Sequence, residues 1–218
     1  MNEDAVTRLN VERFNAVAGS WDENPMRVEL AQAVARAIAE AVPPTAQTRA
    51  MEFGCGTGLV TALLAPGLGQ VVAVDSAAGM LDVLRTKVRE LGLDNVEPLE
   101  MDLSQSLPEG PFDLIFSGMT LHHIEDVPAL LARLRGLLAP GGHVALVDLE
   151  REDGTFHGDA PGIMHHGFDP STVAGWLAEA GFDEVRTRRA HVVRKTGSDD
   201  RPREYPVFLV SARRAAGR

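Results

Sequence analysis

Short apolar runs alternate along this 218-residue chain with stretches in which apolar residues recur every three or four positions. The first pattern suits strands buried on both faces, the second helices with one inward stripe. Between Met26 and Val42, Leu30, Val34 and Ile38 form such a stripe, and Arg27, Glu29, Arg36 and Glu40 are available for the outer face. Val42-Pro43-Pro44 ends that helix. Residues 50–53 read as a brief strand feeding the turn Gly54-Cys55-Gly56-Thr57-Gly58, and residues 70–75 as an apolar strand ending in an acid. Met80, Leu84, Val88 and Leu91 predict the next helix, and residues 95–100 and 111–118 a third and fourth strand. Asp126 caps a helix with Pro128 in its first turn and Val127, Leu130, Leu131, Leu134 and Leu138 inward. Pro140-Gly141-Gly142 stops it, and residues 143–148 form a fifth strand. Residues 150–168 lack a period and read as an inserted loop. Asp169-Pro170 then opens a helix carrying Val173, Trp176, Leu177 and Ala180, and two strands, 182–195 and 203–213, close the chain. Strands alternating with helices predict an α/β fold, doubly wound around a mostly parallel sheet.

Composition narrows the class. Hydrophobic residues make up 44% and charged residues 24%, enough for a core and a wetted surface. No apolar run approaches the ~20 residues that span a bilayer, and the polar N-terminus lacks a secretory apolar stretch, so no membrane and a cytoplasmic location are expected. The single Cys55 excludes an internal disulfide and leaves too few thiols for a structural zinc site. A net charge of −10 makes a phosphate-backbone partner a poor default. Arg186, Arg188, Arg189 and Arg194 form a local basic patch whose plainer reading is the solvated face of a strand. No nucleic acid and a small-molecule partner are expected, with the protein a monomer or homodimer.

Three polar features fall at three successive strand ends. Glycine accepts positive φ and lets backbone approach a ligand, so Gly54, Gly56 and Gly58 suit a nucleotide-like molecule at the carboxyl end of the first strand. Such a triplet alone is a weak signal, since it also serves merely to connect elements. Asp75 ends the second strand, where a carboxylate can accept both hydroxyls of a ribose or instead cap the next helix, as Ser76 also could. Asp102 ends the third, where it can accept from an adenine amino group.

On residues 52–58, 71–75, 101–104, 112–124 and 134–148 the chain resembles the class I S-adenosylmethionine-dependent methyltransferases, in the broad small-molecule group with a Leu-His-His turn after the fourth strand. The resemblance implies a seven-stranded sheet of order 3-2-1-4-5-7-6 with the last strand antiparallel. It also implies one methyltransferase domain over 1–218: an N-terminal helical cap segment (1–45), a cofactor core (49–148), and a substrate loop, helix and hairpin (149–218). Glu52 and the Gly54–Gly58 turn, Cys55 included, would hold the methionine part of S-adenosylmethionine, which leaves as S-adenosylhomocysteine. Asp75 and Ser76 would meet the ribose, Met80 would pack on adenine, Asp102 and Leu103 would contact its edge, and Ser117 and Gly118 would line the sulfonium end. Phe14 and Trp21 are lid candidates, or ordinary hydrophobic anchors.

Methyl transfer needs a base only if the acceptor must lose a proton. His123, His165 and His166 are the candidate catalytic bases, and His122 a candidate acceptor contact, each with a packing role as its alternative. No ligand spacing supports a metal. The function expected is methyl transfer to an O, N or S atom of a small molecule. The alternatives are a non-catalytic cofactor-binding protein and an NAD(P)-dependent oxidoreductase. The dinucleotide fingerprint places a glycine where Leu59 stands and has no use for Asp102.

Overall fold

The computed structural model describes residues 3–216. Its elements are α1 (Glu3–Val17), α2 (Pro25–Ala41), β1 (Arg49–Phe53), α3 (Leu59–Leu64), β2 (Gln70–Asp75), α4 (Ala78–Leu91) and β3 (Val96–Glu100). The chain continues through β4 (Phe112–Gly118), α5 (Val127–Leu137), β5 (Leu138–Leu149), α6 (Pro170–Glu179), β6 (Phe182–Thr196) and β7 (Pro202–Arg214). The seven strands form one sheet of order β3-β2-β1-β4-β5-β7-β6. β1 to β5 pair in parallel, and β7 runs antiparallel between β5 and β6. The expected order and the lone antiparallel insertion are both present.

The sheet splits the core in two because side chains alternate along a strand. Ala50, Val71, Ala73, Leu114, Phe116, Ala145 and Val147 face one side, packed with Val34 and Ile38 of α2 and Leu81 and Leu84 of α4. Met51, Val72, Val74, Ile115, Val144 and Leu146 face the other, against Leu131 and Leu134 of α5 and Val173 and Leu177 of α6. Both faces being covered is why the strands read as continuous apolar runs. The helix starts are fixed by side chains: Asn24 accepts from Met26 N–H, Asp126 from Ala129 N–H and Asp169 from Ser171 N–H, each with proline in the first turn.

Two elements depart from the periodicity. Leu91 is 59% exposed while Leu81 is fully buried, so the inward stripe of α4 is Met80, Leu81 and Leu84. The last turn of α4 ends at Gly92 in a left-handed conformation, with Leu91 on its outer side. Leu138 belongs to β5, pairing with Phe112, and Pro140-Gly141-Gly142 lies within that strand at a register shift. Strand pairing with Phe112 claims Leu138 before another helical turn can form.

The 150–168 loop is tied to the N-terminal helix. Asn10 Nδ2 donates to the Gly162 carbonyl at 3.0 Å and Arg13 Nη1 to that of Pro161 at 2.8 Å. Of the four arginines expected on a solvated face, three meet carboxylates: Arg188 pairs with Glu40, Arg189 with Glu150 and Arg194 with Glu204. Among the described residues no helix is long and apolar enough to cross a membrane.

Candidate functional site

A cleft of about 650 Å³ opens at the carboxyl ends of the parallel strands, where the order reverses between β1 and β4. Its floor is the β1–α3 turn, and its roof is Phe14 of α1 with Trp21 of the following 3-10 turn, their rings 5.7 Å apart edge to face.

The turn's three glycines all take positive φ, for three different purposes. A Cβ at Gly54 would meet Thr120 side-chain atoms at 2.3 Å, so its lack of one lets the β4 loop close in. A Cβ at Gly56 would meet nothing within 4 Å, and this residue presents bare backbone to the cleft. A Cβ at Gly58 would meet Leu84 Cδ1 at 2.3 Å. Gly58 therefore packs against α4 and, unlike Gly54 and Gly56, does not line the cleft.

Two carboxylates lie beneath this turn. Asp75 Oδ2 accepts from Gly56 N–H and Oδ1 from Ala77 N–H, both at 2.8 Å. The acid thus stitches β2 to the glycine turn and to Ala77, the N-cap of α4, a helix whose start neither Asp75 nor Ser76 caps. Burial pushes its pKa above the ordinary value. Glu52 is 2% exposed and accepts from the Thr61 hydroxyl. Burial, with the charge of Asp75 adding to it, pushes its pKa from 4.5 up to about 8. The same burial and acids raise the Cys55 thiol, which is consequently no nucleophile.

Glu52 makes stability depend on pH. Between its ordinary 4.5 and its folded value of about 8, the folded chain holds a proton that the unfolded chain has lost, so this term weakens as pH rises. Glu52→Gln should stabilise the ligand-free protein at pH 8 by on the order of a few kcal/mol, and by far less near pH 4.5. Urea unfolding at both values reads this. A wild-type advantage at pH 8 would mean the carboxylate is ionised and well paired.

On the far side, Asp102 accepts from Ser104 N–H at 2.8 Å and from Gln105 Nε2 at 3.2 Å, and with Ser76, Met80 and Leu103 it lines the cleft. Gly118 lines it too, with Val34 only 2.9 Å from where its Cβ would be. Ser117 does not: it is 1% exposed and donates to the Phe53 carbonyl at 2.7 Å, on the same sheet face as Ile115 two residues before it.

The histidines separate. His123 lines the cleft, its Nδ1–H donating to the Gly162 carbonyl at 2.8 Å. Burial, then neighbouring His122, lower its pKa to about 3. It stays neutral near pH 7. His122 is 1% exposed, its ring on Asp148 at 2.8 Å, and it lies behind the cleft. His165 Nε2 donates to the Ile124 carbonyl at 2.9 Å, and His166 stands half-exposed 3.6 Å from Glu152. Neither of these two expected bases lines the cleft; both sit in the 150–168 loop. His157, unforeseen, stacks on His122 with ring centroids 4.8 Å apart. Among the described residues no group of three His, Cys, Asp or Glu could hold a metal ion.

Sequence reasoning also missed Asn10, Arg27, Thr120, Arg133 and Met164, all of which line the cleft. A signal existed for one of them: Asn24-Pro25 is a cap and first helical residue, which puts Arg27 in the opening turn of α2.

Residues 51–146 match a family model described as a methyltransferase domain. An uncharacterized methyltransferase of Schizosaccharomyces pombe is 31% identical over 62% of this chain and 53% of its own length. The ubiquinone biosynthesis O-methyltransferase of Xanthomonas euvesicatoria is 28% identical, over 79% of each chain. A solved complex of DhpI with SAH superposes with a TM-score of 0.73 at 23% identity, covering 98% of both chains. The chain spans about half the length, or less, of several curated relatives it matches. With the matched core carrying the glycine turn and both strand-end acids on this sheet order, residues 51–146 are a methyltransferase domain on the class I S-adenosylmethionine-dependent methyltransferase fold.

Proposed function

We propose that this protein moves a methyl group from S-adenosylmethionine to an O, N or S atom of a small acceptor, with residues 1–218 acting as one domain. The observation that carries the reading is the buried Glu52 and the half-buried Asp75, two carboxylates under a glycine turn open at Gly56. Burial raises the pKa values of both acids, and a ligand bearing a sulfonium and an ammonium would supply the positive charge that holds them ionised. A pyrophosphate would meet the same acids as repulsion, which counts against a dinucleotide.

In this reading Glu52 and the backbone at Cys55 and Gly56 hold the amino-acid end. Asp75 retains free lone pairs for ribose hydroxyls while holding its two N–H groups, and Met80 and Leu103 clamp the base beside Asp102. When bound, the cofactor supplies a methyl group already activated by its sulfonium. What remains for the chain is to orient the acceptor and exclude water, which Phe14 and Trp21 do from the roof.

The test is parallel calorimetric titration with S-adenosylmethionine, S-adenosylhomocysteine and NADH. The expected result is binding of the first two alone. Binding of NADH alone would overturn the reading. Donor binding with no methyl transfer to any acceptor would leave a non-catalytic binding protein.

A further inference from the structure

We propose that the methyl acceptor is a small organic acid whose anionic group docks on Arg27, within the positive field that Arg27, Arg13 and Lys195 build at one wall of the cleft. This rests on the methyltransferase reading above and names its substrate class. The wall is made by α1, the first turn of α2 and the loop after β5, and Arg27 lines the cleft directly.

The three cations share an unusual environment for a chain of net charge −10. Each donates to a main-chain carbonyl: Arg27 to Trp21 at 3.3 Å, Arg13 to Pro161 at 2.8 Å, and Lys195 to Phe156. Each lies over an aromatic face, Arg27 at 3.6 Å from the Trp21 ring centre, Arg13 at 4.7 Å from Phe14 and Lys195 at 4.1 Å from Phe156. Among the described residues none forms an ion pair. The acid facing Arg27 is Asp22, whose two oxygens are taken by Thr57 at 2.6 Å and Lys87 at 2.7 Å. Glu152 faces Lys195 but accepts from Phe156 N–H at 3.0 Å.

Burial lowers the pKa of all three cations, and the charge of Arg27 lowers Arg13 and Lys195 further. The nearby imidazoles of His123 and His157 are held neutral and add no charge to this field. A carboxylate or phosphonate reaching Arg27 would meet a planar fork suited to bidentate pairing, in surroundings drier than the surface.

The experiment uses the full chain and isotope-labelled S-adenosylmethionine. The panel is aromatic and aliphatic carboxylates and phosphonates, each paired with its neutral amide. Label should pass to acids and not to amides, and the preferred acid type tells carboxylate from phosphonate. Arg27→Gln should lower kcat/KM for the best acid by at least about 30-fold, with S-adenosylhomocysteine affinity held within about two-fold as evidence of an intact fold. Lys195→Gln, outside the cleft lining, should lower it a few-fold, and less at high salt.

Equal transfer to amides, or no transfer to any acid, would overturn the proposal. So would a loss of S-adenosylhomocysteine affinity in Arg27→Gln matching the loss of kcat/KM, which would assign Arg27 to the carboxylate of the donor. Failure of the wild type to bind S-adenosylhomocysteine is a different result, and defeats the methyltransferase reading itself.

Discussion

Asp75→Ala is expected to lower affinity for S-adenosylhomocysteine by about two orders of magnitude or more, roughly 3 kcal/mol. Two losses combine in that number. The ribose hydroxyls lose an ionised acceptor in a buried setting. The N–H groups of Gly56 and Ala77, each 2.8 Å from a carboxylate oxygen, lose the partner that shapes the glycine turn. An unsatisfied buried N–H costs about 1–3 kcal/mol, so the melting temperature should fall as well. Asp75→Asn separates the two effects, because its amide keeps the volume and one acceptor oxygen. It should recover part of the thermal stability and little of the binding. Calorimetric titration beside thermal melts reads both, and wild-type affinity in a folded Asp75→Ala protein would remove this residue from the donor site.

Gly54→Ala should destabilise the fold by roughly 2–3 kcal/mol and abolish measurable donor binding. The backbone there has φ +63°, which a β-carbon resists. That carbon would lie 2.3 Å from both Cγ2 and Oγ1 of Thr120, whose hydroxyl donates to the Gly54 carbonyl. Thr120 lines the cleft, so displacing it deforms the site as well as the strand end. Adding Thr120→Ala removes the two nearest atoms and leaves its own β-carbon at 2.8 Å, so rescue should be partial. In a double-mutant cycle the coupling should be about 1 kcal/mol in the rescuing direction. Strict additivity would place the whole penalty in the dihedral angle and none in the contact.

What could be read from the chain follows from how locally each feature is encoded. Residues 70–75 show their burial on both faces in their own side chains, and the glycine turn with Asp75 and Asp102 marks three strand ends without help from distant sequence. Leu138 was misplaced because its fate is set elsewhere, by pairing with Phe112, and Leu91 lies on the outer side of the last turn of α4. Ser117 next to Gly118 illustrates the period of two: Gly118 lines the cleft, and Ser117 lies on the sheet face of Ile115. The histidines were hardest. Whether an imidazole touches substrate depended on the carbonyls of Ile124 and Gly162 and the carboxylate of Asp148, and no spacing announces those partners. Arg27 became a candidate only once its lack of a counter-charge was visible in space.

The contact between Asn10 and Gly162 joins residues 152 positions apart in the chain. Its consequence is one of timing. A helix made first cannot dock until the loop beyond the fifth strand has been synthesised and placed, and contacts of such long separation form late. The cleft therefore acquires its floor early and its roof last. During refolding, amide protection in the first helix should trail that of the central strands, with the opposite order excluding this sequence of events. Capture of the donor would then report that synthesis has passed Met164, since no shorter product carries both halves of the enclosure.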